Sequence, residues 1–387
     1  MPLANGFLRS EDFPEESFFD LSAAFCERCA MPQLVQGVPR ERMFNHQYPF
    51  FTSSSTRMAA HFREFATQVA RNCLGQHDPF VVEIGSNDGT LLRHFAATGI
   101  RHLGIEPSSN VAAAAVENGV RSICRFFDDD VARDIVRDQG QADAVLAANC
   151  VCHVQDLHGL AAGIEHLLKP RGLLIFEDPY LGNIIENTAY DQIYDEHMFY
   201  FSVTGVARWL EPHGFEIVDV APQPVHGGSM RYTVGRRGAW PAGVAVDAWL
   251  RKEARRGLQR PETYDRFRGK VEQSRDALIS LLRGLKRGGR RVTGYGATSK
   301  STTVLNYCGV TPDLVEFISD TTPIKLGKFS PGAHIPVRPH SEFVARYPDY
   351  AVLFAWNHAA EILRKEEGFL RAGGRWIGYV PEVKVLD

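Results

Sequence analysis

A histidine, three carboxylates and three tyrosines lie close together in residues 190–201, and side chains of these types can move protons. His197 directly follows Glu196, and a histidine beside a carboxylate can act as a general base near neutral pH. The hydroxyl of Tyr194 can donate a hydrogen bond to a developing enolate oxygen. The run comes just after an apolar segment that ends at Glu177–Tyr180, so it predicts an active-site loop. The alternative is an aromatic-rich surface loop.

A glycine turn at Glu83–Gly89 could hold a nucleotide-like ligand. The apolar run 79–82 precedes this turn and a helical pattern begins at Thr90, which together predict strand, tight turn and helix. Glu106 follows Gly85 by 21 positions, at the end of a second apolar run. In such folds an acid at this place accepts hydrogen bonds from ribose hydroxyls.

Asn87 stands where a dinucleotide-binding turn has its second glycine. That glycine lets the backbone approach a pyrophosphate, which fits less well over a side chain. A ligand with an adenosine and no phosphate tolerates the asparagine, and S-adenosylmethionine is such a ligand. A turn that serves packing alone is the alternative for Gly85, Asn87 and Gly89.

Two later loops add candidates at the ends of expected strands. Asp128 could hydrogen-bond an adenine amino group, or it could be a helix N-cap. Asn149 and His153 follow the strand predicted at 144–148, at the edge where open α/β sheets bind ligands. His153 is therefore a candidate site residue, with a buried structural histidine as the alternative.

Two glycine-containing segments could bind the second substrate. Ser229 and Arg231, in the run His226–Arg231, could fold against an oxygen-rich molecule, although a hairpin would also use these glycines. Gly294, Gly296 and Ser299 repeat the dinucleotide-turn spacing and Lys300 follows. Because amides at a helix N-terminus attract phosphate, a nucleotide diphosphate site is predicted there, against packing alone.

The composition limits the classes of protein to which the chain could belong. It has 387 residues, which favours two or more domains, and its 44% hydrophobic and 23% charged content is typical of a globular protein. The net charge of −3 does not suggest nucleic acid or an anionic membrane as the main partner. There is no apolar run of membrane-spanning length, the N-terminus is unlike a signal peptide, and seven irregularly spaced cysteines fit a reducing cytosol. We therefore expect a cytoplasmic protein.

Apolar and helical runs alternate twice, which predicts two α/β domains. The first set of strands is expected near 80–84, 102–105, 144–148, 172–177 and 215–220, with helices at 90–97, 110–117, 129–138 and 157–168, and implies a parallel sheet covered on both faces. Residues 241–288 read as a helical bridge, and strands are expected again at 291–295, 314–320, 351–356 and 375–380. The predicted divisions are 1–57, 58–240, 241–288 and 289–387.

Together these motifs resemble the S-adenosylmethionine-dependent sugar C-methyltransferases, which act on nucleotide-linked 4-keto-deoxyhexoses in antibiotic sugar biosynthesis. The resemblance covers nearly the whole chain. Its most specific parts are Tyr194-x-Glu196-His197 and Gly294-Tyr295-Gly296-Ala297, and its other parts are Pro2–Asn5, Cys26-x-x-Cys29, Tyr48–Ser55, the first glycine turn, Asn149-x-x-x-His153 and Gly227–Arg231.

The resemblance implies a small N-terminal zinc-binding region, a central Rossmann-like class I methyltransferase domain and a C-terminal Rossmann-like domain. It makes His197 the base, with Tyr194, Glu196 and His153 beside it. The implied donor-binding residues are Glu83, Gly85, Asn87, Gly89, Glu106, Asp128 and Asn149. The implied substrate-binding residues are Tyr48, Ser229, Arg231, Tyr295, Ser299 and Lys300.

Cys26 and Cys29 have the spacing of half a zinc site. Members of the resembled family carry another Cys-x-x-Cys before Pro-Leu-Ala-Asn, whereas this sequence begins at that stretch. Either its start lies downstream of the true one or the protein dispenses with zinc, so we expect an incomplete site.

Two other functions compete with C-methylation. Gly294, Gly296 and Asp320 would permit an NAD-dependent nucleotide-sugar dehydrogenase or epimerase, although the histidine–tyrosine cluster belongs to the first domain. A non-catalytic nucleotide sensor or scaffold is the third possibility. If the protein is a C-methyltransferase, C3 and C5 of the sugar both flank the ketone, and the sequence does not indicate which of them is methylated.

Overall fold

Two large β-sheets form the frame of the protein in the computed structural model, which describes residues 1–75 and 77–386. Their strands and those of a small N-terminal hairpin are β1 Ala23–Cys26, β2 Met31–Leu34, β3 Phe80–Ile84, β4 Arg101–Ile105, β5 Ser122–Ile123, β6 Ala142–Ala148, β7 Leu168–Pro179, β8 Phe215–Gln223, β9 Ser229–Arg236, β10 Val292–Tyr295, β11 Ile318–Asp320, β12 Val337–Pro339, β13 Tyr350–Leu353, β14 Arg375–Gly378 and β15 Lys384–Leu386.

Helices cover both sheets and connect them. They are α1 Arg40–Met43, α2 Thr56–Asn72, α3 Arg93–Ala96, α4 Ser109–Glu117, α5 Asp129–Gln139, α6 Leu157–Leu167, α7 Leu181–Glu186, α8 Val203–Leu210, α9 Val244–Arg256, α10 Pro261–Arg287, α11 Ser299–Tyr307, α12 His340–Ala345, α13 Ala359–Lys365 and α14 Glu367–Arg371. No helix in the described part of the chain combines the length and apolarity needed to cross a membrane.

The first sheet has the order β5-β4-β3-β6-β7-β9-β8. Strand β3 is buried on both faces because helices cover both sides, which explains why it is apolar except at Glu83. The predicted parallel sheet is right for its first five strands and wrong at β9, which runs antiparallel to β7 and β8. The cause is the short 224–228 turn, because a hairpin joins antiparallel strands.

The second sheet has the order β12-β11-β10-β13-β14-β15, and only β15 is antiparallel to its neighbour. Apolar clusters again cover both faces. The strand expected at 314–320 is shorter, Ile318–Asp320, because Leu314 N donates to Thr311 O in a turn. Likewise, the helix expected at 90–97 is regular only over Arg93–Ala96.

The helical bridge and the N-terminal region tie the two sheets together. Leu278 and Leu282 of α10 belong to the core of the second sheet, whereas Glu253 of α9 accepts hydrogen bonds from the first amides of α8. In the N-terminal region, Leu8 pairs with Phe329, and strand β2 contacts residues 198–200 next to the predicted active-site loop. Both connections fix the distance between the two domains.

Candidate active site

A cavity of about 490 Å³ lies between the two α/β domains and the N-terminal region. Thirteen of the predicted site residues line it: Tyr48, Glu83, Gly85, Asn87, Glu106, Asp128, Asn149, His153, Tyr194, Glu196, His197, Ser299 and Lys300. Their side chains come from all three parts of the chain. The site is therefore formed only when these parts pack together.

Sheet register brings the donor-side residues together. Ile84 pairs with Ile105 on one side and Ala147 on the other, so the chain leaves β3, β4 and β6 at one edge. This is the edge at which open α/β sheets bind ligands. Gly85 has a φ of +68°, and a Cβ there would collide with the Cys150 side chain. The close approach explains why glycine is needed at this position.

Two acids and an amide face the donor side of the cavity. Glu106 Oε2 accepts from Asn87 N at 3.0 Å and Oε1 accepts from Ser108 N at 2.8 Å, although burial still raises the Glu106 pKa. Glu83 Oε2 and Asn149 Oδ1 are buried without a hydrogen-bond partner among the described residues. Burial, with Asp88 and Glu106 nearby, raises the pKa of Glu83 well above its ordinary value. Buried polar atoms without partners indicate a polar ligand.

Asn87 has a role that its sequence position did not reveal. Its Oδ1 accepts from Thr52 N at 3.0 Å and its Nδ2 donates to Phe50 O at 3.1 Å. The side chain thus fastens the loop that carries Tyr48 over the glycine turn. Asp88 Oδ2 adds a bond from Ser53 N at 2.8 Å. An asparagine at this place closes the cavity, whereas a glycine could not.

Asp128 is a helix N-cap that also lines the cavity, and its contact with an adenine amino group stays a prediction. Its Oδ1 accepts from Val131 N at 2.9 Å and caps α5, and the residue also lines the cavity. Gly89 does not line the cavity. Its φ is +75° and a Cβ would press on Val120, so this predicted donor-binding residue lies in the packed turn.

His197 is buried, and its hydrogen bonds define which nitrogen carries the proton. Nδ1 lies 2.9 Å from Gln192 O, and a carbonyl only accepts, so Nδ1 is protonated. Nε2 therefore carries a lone pair in place of a proton, and this lone pair accepts a hydrogen bond from the Tyr194 hydroxyl at 2.7 Å. Burial, then His153 and Lys300, holds the pKa of His197 well below its ordinary value. The ring is a neutral base aimed at the cavity.

His153 and Glu196 flank this base. The ring centroids of His153 and His197 lie 5.4 Å apart, and burial lowers the pKa of His153 to about 4. Glu196 accepts from Asn5 Nδ2 at 2.6 Å, and burial with the neighbouring Asp195 raises its pKa to about 7. Glu196 is thus the acid in the cavity that titrates close to neutrality.

The C-terminal domain holds the active-site loop in place. Asp191 Oδ2 accepts from Trp356 Nε1 at 2.6 Å and from the Tyr379 hydroxyl at 2.7 Å. Thr303 Oγ1 donates to Ile193 O at 3.1 Å. His197, the predicted base, therefore belongs to the first domain in sequence, and its loop is held in place by the second domain.

Among the cavity residues that were not predicted as site residues are Asn5, His226, Lys325 and His358. Asn5 and His226 stood inside motifs singled out earlier, yet neither was assigned a role. Lys325, whose Nζ donates to Ala297 O at 2.7 Å, lies in a stretch with no recognisable pattern. No local signal marks His358.

Three predicted substrate-binding residues lie outside the cavity wall. Ser229 is buried at the start of β9, where its hydroxyl donates to Val225 O at 3.2 Å. Arg231 is buried in an ion pair with Glu177 and lies over the ring of Phe65. The tip of the β8–β9 hairpin, at His226, faces the cavity, whereas Ser229 and Arg231 of strand β9 do not line it. Tyr295 donates to Glu366 Oε1 at 2.8 Å within the core of the second sheet.

The second glycine turn is closed by its own residues. Asp320 Oδ2 accepts from Ala297 N at 2.6 Å, and Thr298 and Ser301 cap α11 reciprocally. These bonds occupy amides that would otherwise bind a phosphate. Only the side chains of Thr298, Ser299 and Lys300 reach the cavity from this turn.

The thiols of Cys26 and Cys29 lie at the end of the β1–β2 hairpin. Within residues 1–75 and 77–386, neither belongs to a group of three or more potential metal ligands, so the residues present do not form a complete zinc site. The group that does gather is Cys152, His153 and His197, of which the two histidines line the cavity.

Comparisons with known proteins agree with this architecture. Family models match a C-methyltransferase C-terminal domain over residues 224–381, a methyltransferase domain over 57–220 and a "putative zinc binding domain" over 1–44. The chain is 34% identical over 388 residues to the C-methyltransferase NovU of Streptomyces niveus, covering 100% of this chain and 92% of that protein.

Among solved structures, magnesium protoporphyrin IX methyltransferase of Synechocystis PCC 6803 matches at 15% identity and a TM-score of 0.33, over 46% of this chain and 78% of the other. A methyltransferase of Anabaena variabilis matches at 15% and 0.36, over 45% and 84%. TM-scores this low do not support any assignment of fold or function. The family models and the full-length relative are sufficient, and the chain belongs to the S-adenosylmethionine-dependent C-methyltransferases.

Proposed function

We propose that the protein methylates a carbon next to the ketone of a nucleotide-linked 4-keto-deoxyhexose. The observation that carries the proposal is one cavity lined by residues of the first glycine turn, by the hydrogen-bonded Tyr194–His197 pair and by Lys300 of the second domain. A ketone acidifies the hydrogens on its neighbouring carbons, and this cavity offers a neutral base. A thymidine diphosphate sugar, the substrate class implied by the sequence resemblance, is the first candidate.

The donor side fits S-adenosylmethionine. Glu106 would accept from the ribose, Asp128 would reach the adenine, and the unpaired oxygens of Glu83 and Asn149 would meet polar groups of the ligand. When bound, this cofactor supplies a methyl group on a positively charged sulfur. Acidic side chains around a cationic ligand also stabilise its binding electrostatically.

The base side follows from the hydrogen bonds of His197. Its Nε2 lone pair would take the proton from the carbon next to the ketone. Before that transfer the Tyr194 hydroxyl would turn from Nε2 to the ketone oxygen, which frees the Nε2 lone pair for the proton and leaves the phenol donating to the enolate oxygen as it forms. Burial, followed by the charge of the nearby Glu196, raises the pKa of Tyr194 well above its ordinary value, which keeps the phenol protonated for this role.

The decisive experiment is mass spectrometry of the purified protein incubated with S-adenosylmethionine and a panel of thymidine diphosphate 4-keto-deoxyhexoses. We expect a product heavier by one methylene that survives reduction of the ketone, and NMR would then place the methyl at C3 or C5. No mass change on any sugar, with the donor shown to bind, would contradict the proposed substrate class.

The dehydrogenase or epimerase alternative is less well supported by the geometry. Its cofactor would need the second glycine turn, whose amides Asp320, Thr298 and Ser301 already occupy. Binding of NAD to the purified protein would restore this alternative.

A further inference from the structure

Two groups of titratable side chains line the cavity from different parts of the chain. Glu83, Glu106 and Asp128 belong to the first sheet and its loops, whereas Lys300 and His358 come from the second domain and His226 from the β8–β9 hairpin, close to both of them. An anionic nucleotide sugar requires a group of cationic or protonatable side chains such as the second one. The residues of the second group have no role in the donor site and are not explained by packing alone.

Three separate elements bring the basic group together. His226 is at the tip of the β8–β9 hairpin, Lys300 is in the first turn of α11, and His358 ends a 3-10 turn at Trp356–His358. Hydrogen bonding fixes the hairpin tip, because Gln192 Nε2 donates to His226 O at 2.8 Å. Packing does so as well, because a Cβ at Gly227 would collide with Trp356.

These side chains have unused hydrogen-bonding capacity. His226 Nε2 is buried without a partner among the described residues. Lys300 Nζ makes no hydrogen bond or ion pair within 1–75 and 77–386, although Asp191 is close enough to favour its charge. A buried, unpaired ring nitrogen beside an unpaired ammonium group indicates an anionic ligand.

We propose that Lys300, His226 and His358 form the subsite for the diphosphate of the nucleotide sugar and that the two histidines take up protons as it binds. The inference rests on the proposed function for the identity of the substrate. An anion here would be held by charge-assisted hydrogen bonds from three directions. The protons come from the solvent, and no covalent step is involved.

Electrostatics supports this proton uptake. Burial, followed by the charge of Lys300, lowers the pKa of His226 to about 3 and lowers that of His358. His61 and Arg57 of α2 also face His226 and lower its pKa further. Glu361 acts in the opposite direction on His358 and raises its pKa. A dianionic group between these rings would reverse the balance and favour their charged forms.

The same anion would act on the catalytic base. The charge of Lys300 contributes to holding the pKa of His197 low, and a bound diphosphate beside Lys300 opposes that effect. His197 then becomes a stronger base only when the substrate is in place. We expect a sugar without its diphosphate to be a poor substrate even at saturating concentration.

Calorimetric titration with thymidine diphosphate, in buffers of different ionisation enthalpy, tests the subsite. We expect net proton uptake. For each proton taken up, the affinity should fall about tenfold for every unit by which the pH rises. His226→Gln and His358→Gln should each reduce the uptake, and Lys300→Met should weaken binding while Lys300→Arg restores part of it. His158→Gln is the matched control, because that ring pairs with His213 at the surface. Retained binding of S-adenosylhomocysteine shows that a variant is folded.

The outcomes separate this inference from the proposed function. If thymidine diphosphate binds without proton uptake, and equally in all variants, the subsite is wrong while the proposed function stands. If the wild-type protein binds S-adenosylhomocysteine but not thymidine diphosphate, both the proposed substrate class and the subsite are wrong.

Discussion

The two glycine turns of this protein have similar sequences and different surroundings. Each follows a central strand of a parallel sheet, and each has an acid that accepts from an amide of the turn: Glu106 from Asn87 N at 3.0 Å and Asp320 from Ala297 N at 2.6 Å. The first turn borders unpaired oxygens that face the cavity, whereas the second is capped by its own side chains. A glycine pattern therefore identifies the local backbone, and the neighbouring side chains decide whether a ligand can use it.

The largest effect should come from the base that the first domain supplies. His197→Gln keeps a polar side chain and removes the lone pair at Nε2, so methyl transfer should fall about 10²- to 10⁴-fold. Donor binding should stay unchanged, because the donor residues lie on other loops. A rapid-quench assay of methyl transfer measures the loss, with the surface residue change His213→Gln as the control. Near-normal turnover by folded His197→Gln would remove this residue from the mechanism.

Alanine at equivalent glycines tests the contrast between the turns directly. Gly85→Ala introduces a Cβ against Cys150 beside the donor, so we expect donor affinity to fall at least about tenfold. Gly296→Ala, at φ +91°, places a Cβ 2.9 Å from that of Ala355 and should lower the free energy of unfolding without changing donor affinity. Gly309→Ala measures backbone strain alone, because its φ is +65° and no atom lies within 4 Å of the added Cβ.

Calorimetric titration with S-adenosylhomocysteine and thermal unfolding together separate these effects. If Gly296→Ala lost donor binding as fully as Gly85→Ala, the second turn would share the donor site and the contrast would fail.

The two acids form a second matched pair with a smaller expected effect. Glu106→Gln should weaken donor binding by about 1–3 kcal/mol, the usual range for a hydrogen bond to a charged group. Asp320→Asn should leave donor affinity unchanged and destabilise the fold, because Ala297 N and Thr322 N would lose a charged acceptor. Measurable NAD binding that Asp320→Asn abolishes would contradict this difference and favour the dehydrogenase alternative.

The sequence was most informative where function depends on neighbouring residues. Gly85, Glu106 and Asn149 could be grouped because parallel strands end at one edge, and His197 with Tyr194 are three residues apart in one loop. Contacts between distant segments left no such signal: Asn5 reaches Glu196 across 191 positions, and Lys325 comes from a loop of the second domain. In the run His226–Arg231 the motif was noticed, but the strand direction that turns Arg231 away and His226 inward was not predictable.

The smallest expected effect concerns the long-range contact between Asn5 and Glu196. Asn5 Nδ2 donates to Glu196 Oε1 at 2.6 Å and lowers the pKa of a carboxyl that burial raises to about 7. Asn5→Leu should therefore raise this pKa further, and the acidic limb of the pH profile of kcat/KM should move upward by up to about one unit. Asn118→Leu, at an exposed asparagine, is the control. An unmoved limb in Asn5→Leu would mean that Glu196 does not need to be ionised for activity.

The stability of Asn5→Leu should change with pH in a direction that the same pKa defines. The folded-state pKa of Glu196 lies above its ordinary value of 4.5, so the folded protein holds this proton more tightly than the unfolded chain does. Its contribution to stability is complete below pH 4.5 and is lost as pH rises through about 7. In Asn5→Leu that loss should extend to higher pH, which chemical denaturation at pH 6, 7 and 8 (about one unit apart, to span the transition) would detect. Because the N-terminal region carries Asn5 and the second domain does not, this dependence separates the N-terminal contribution to the site from that of the second turn.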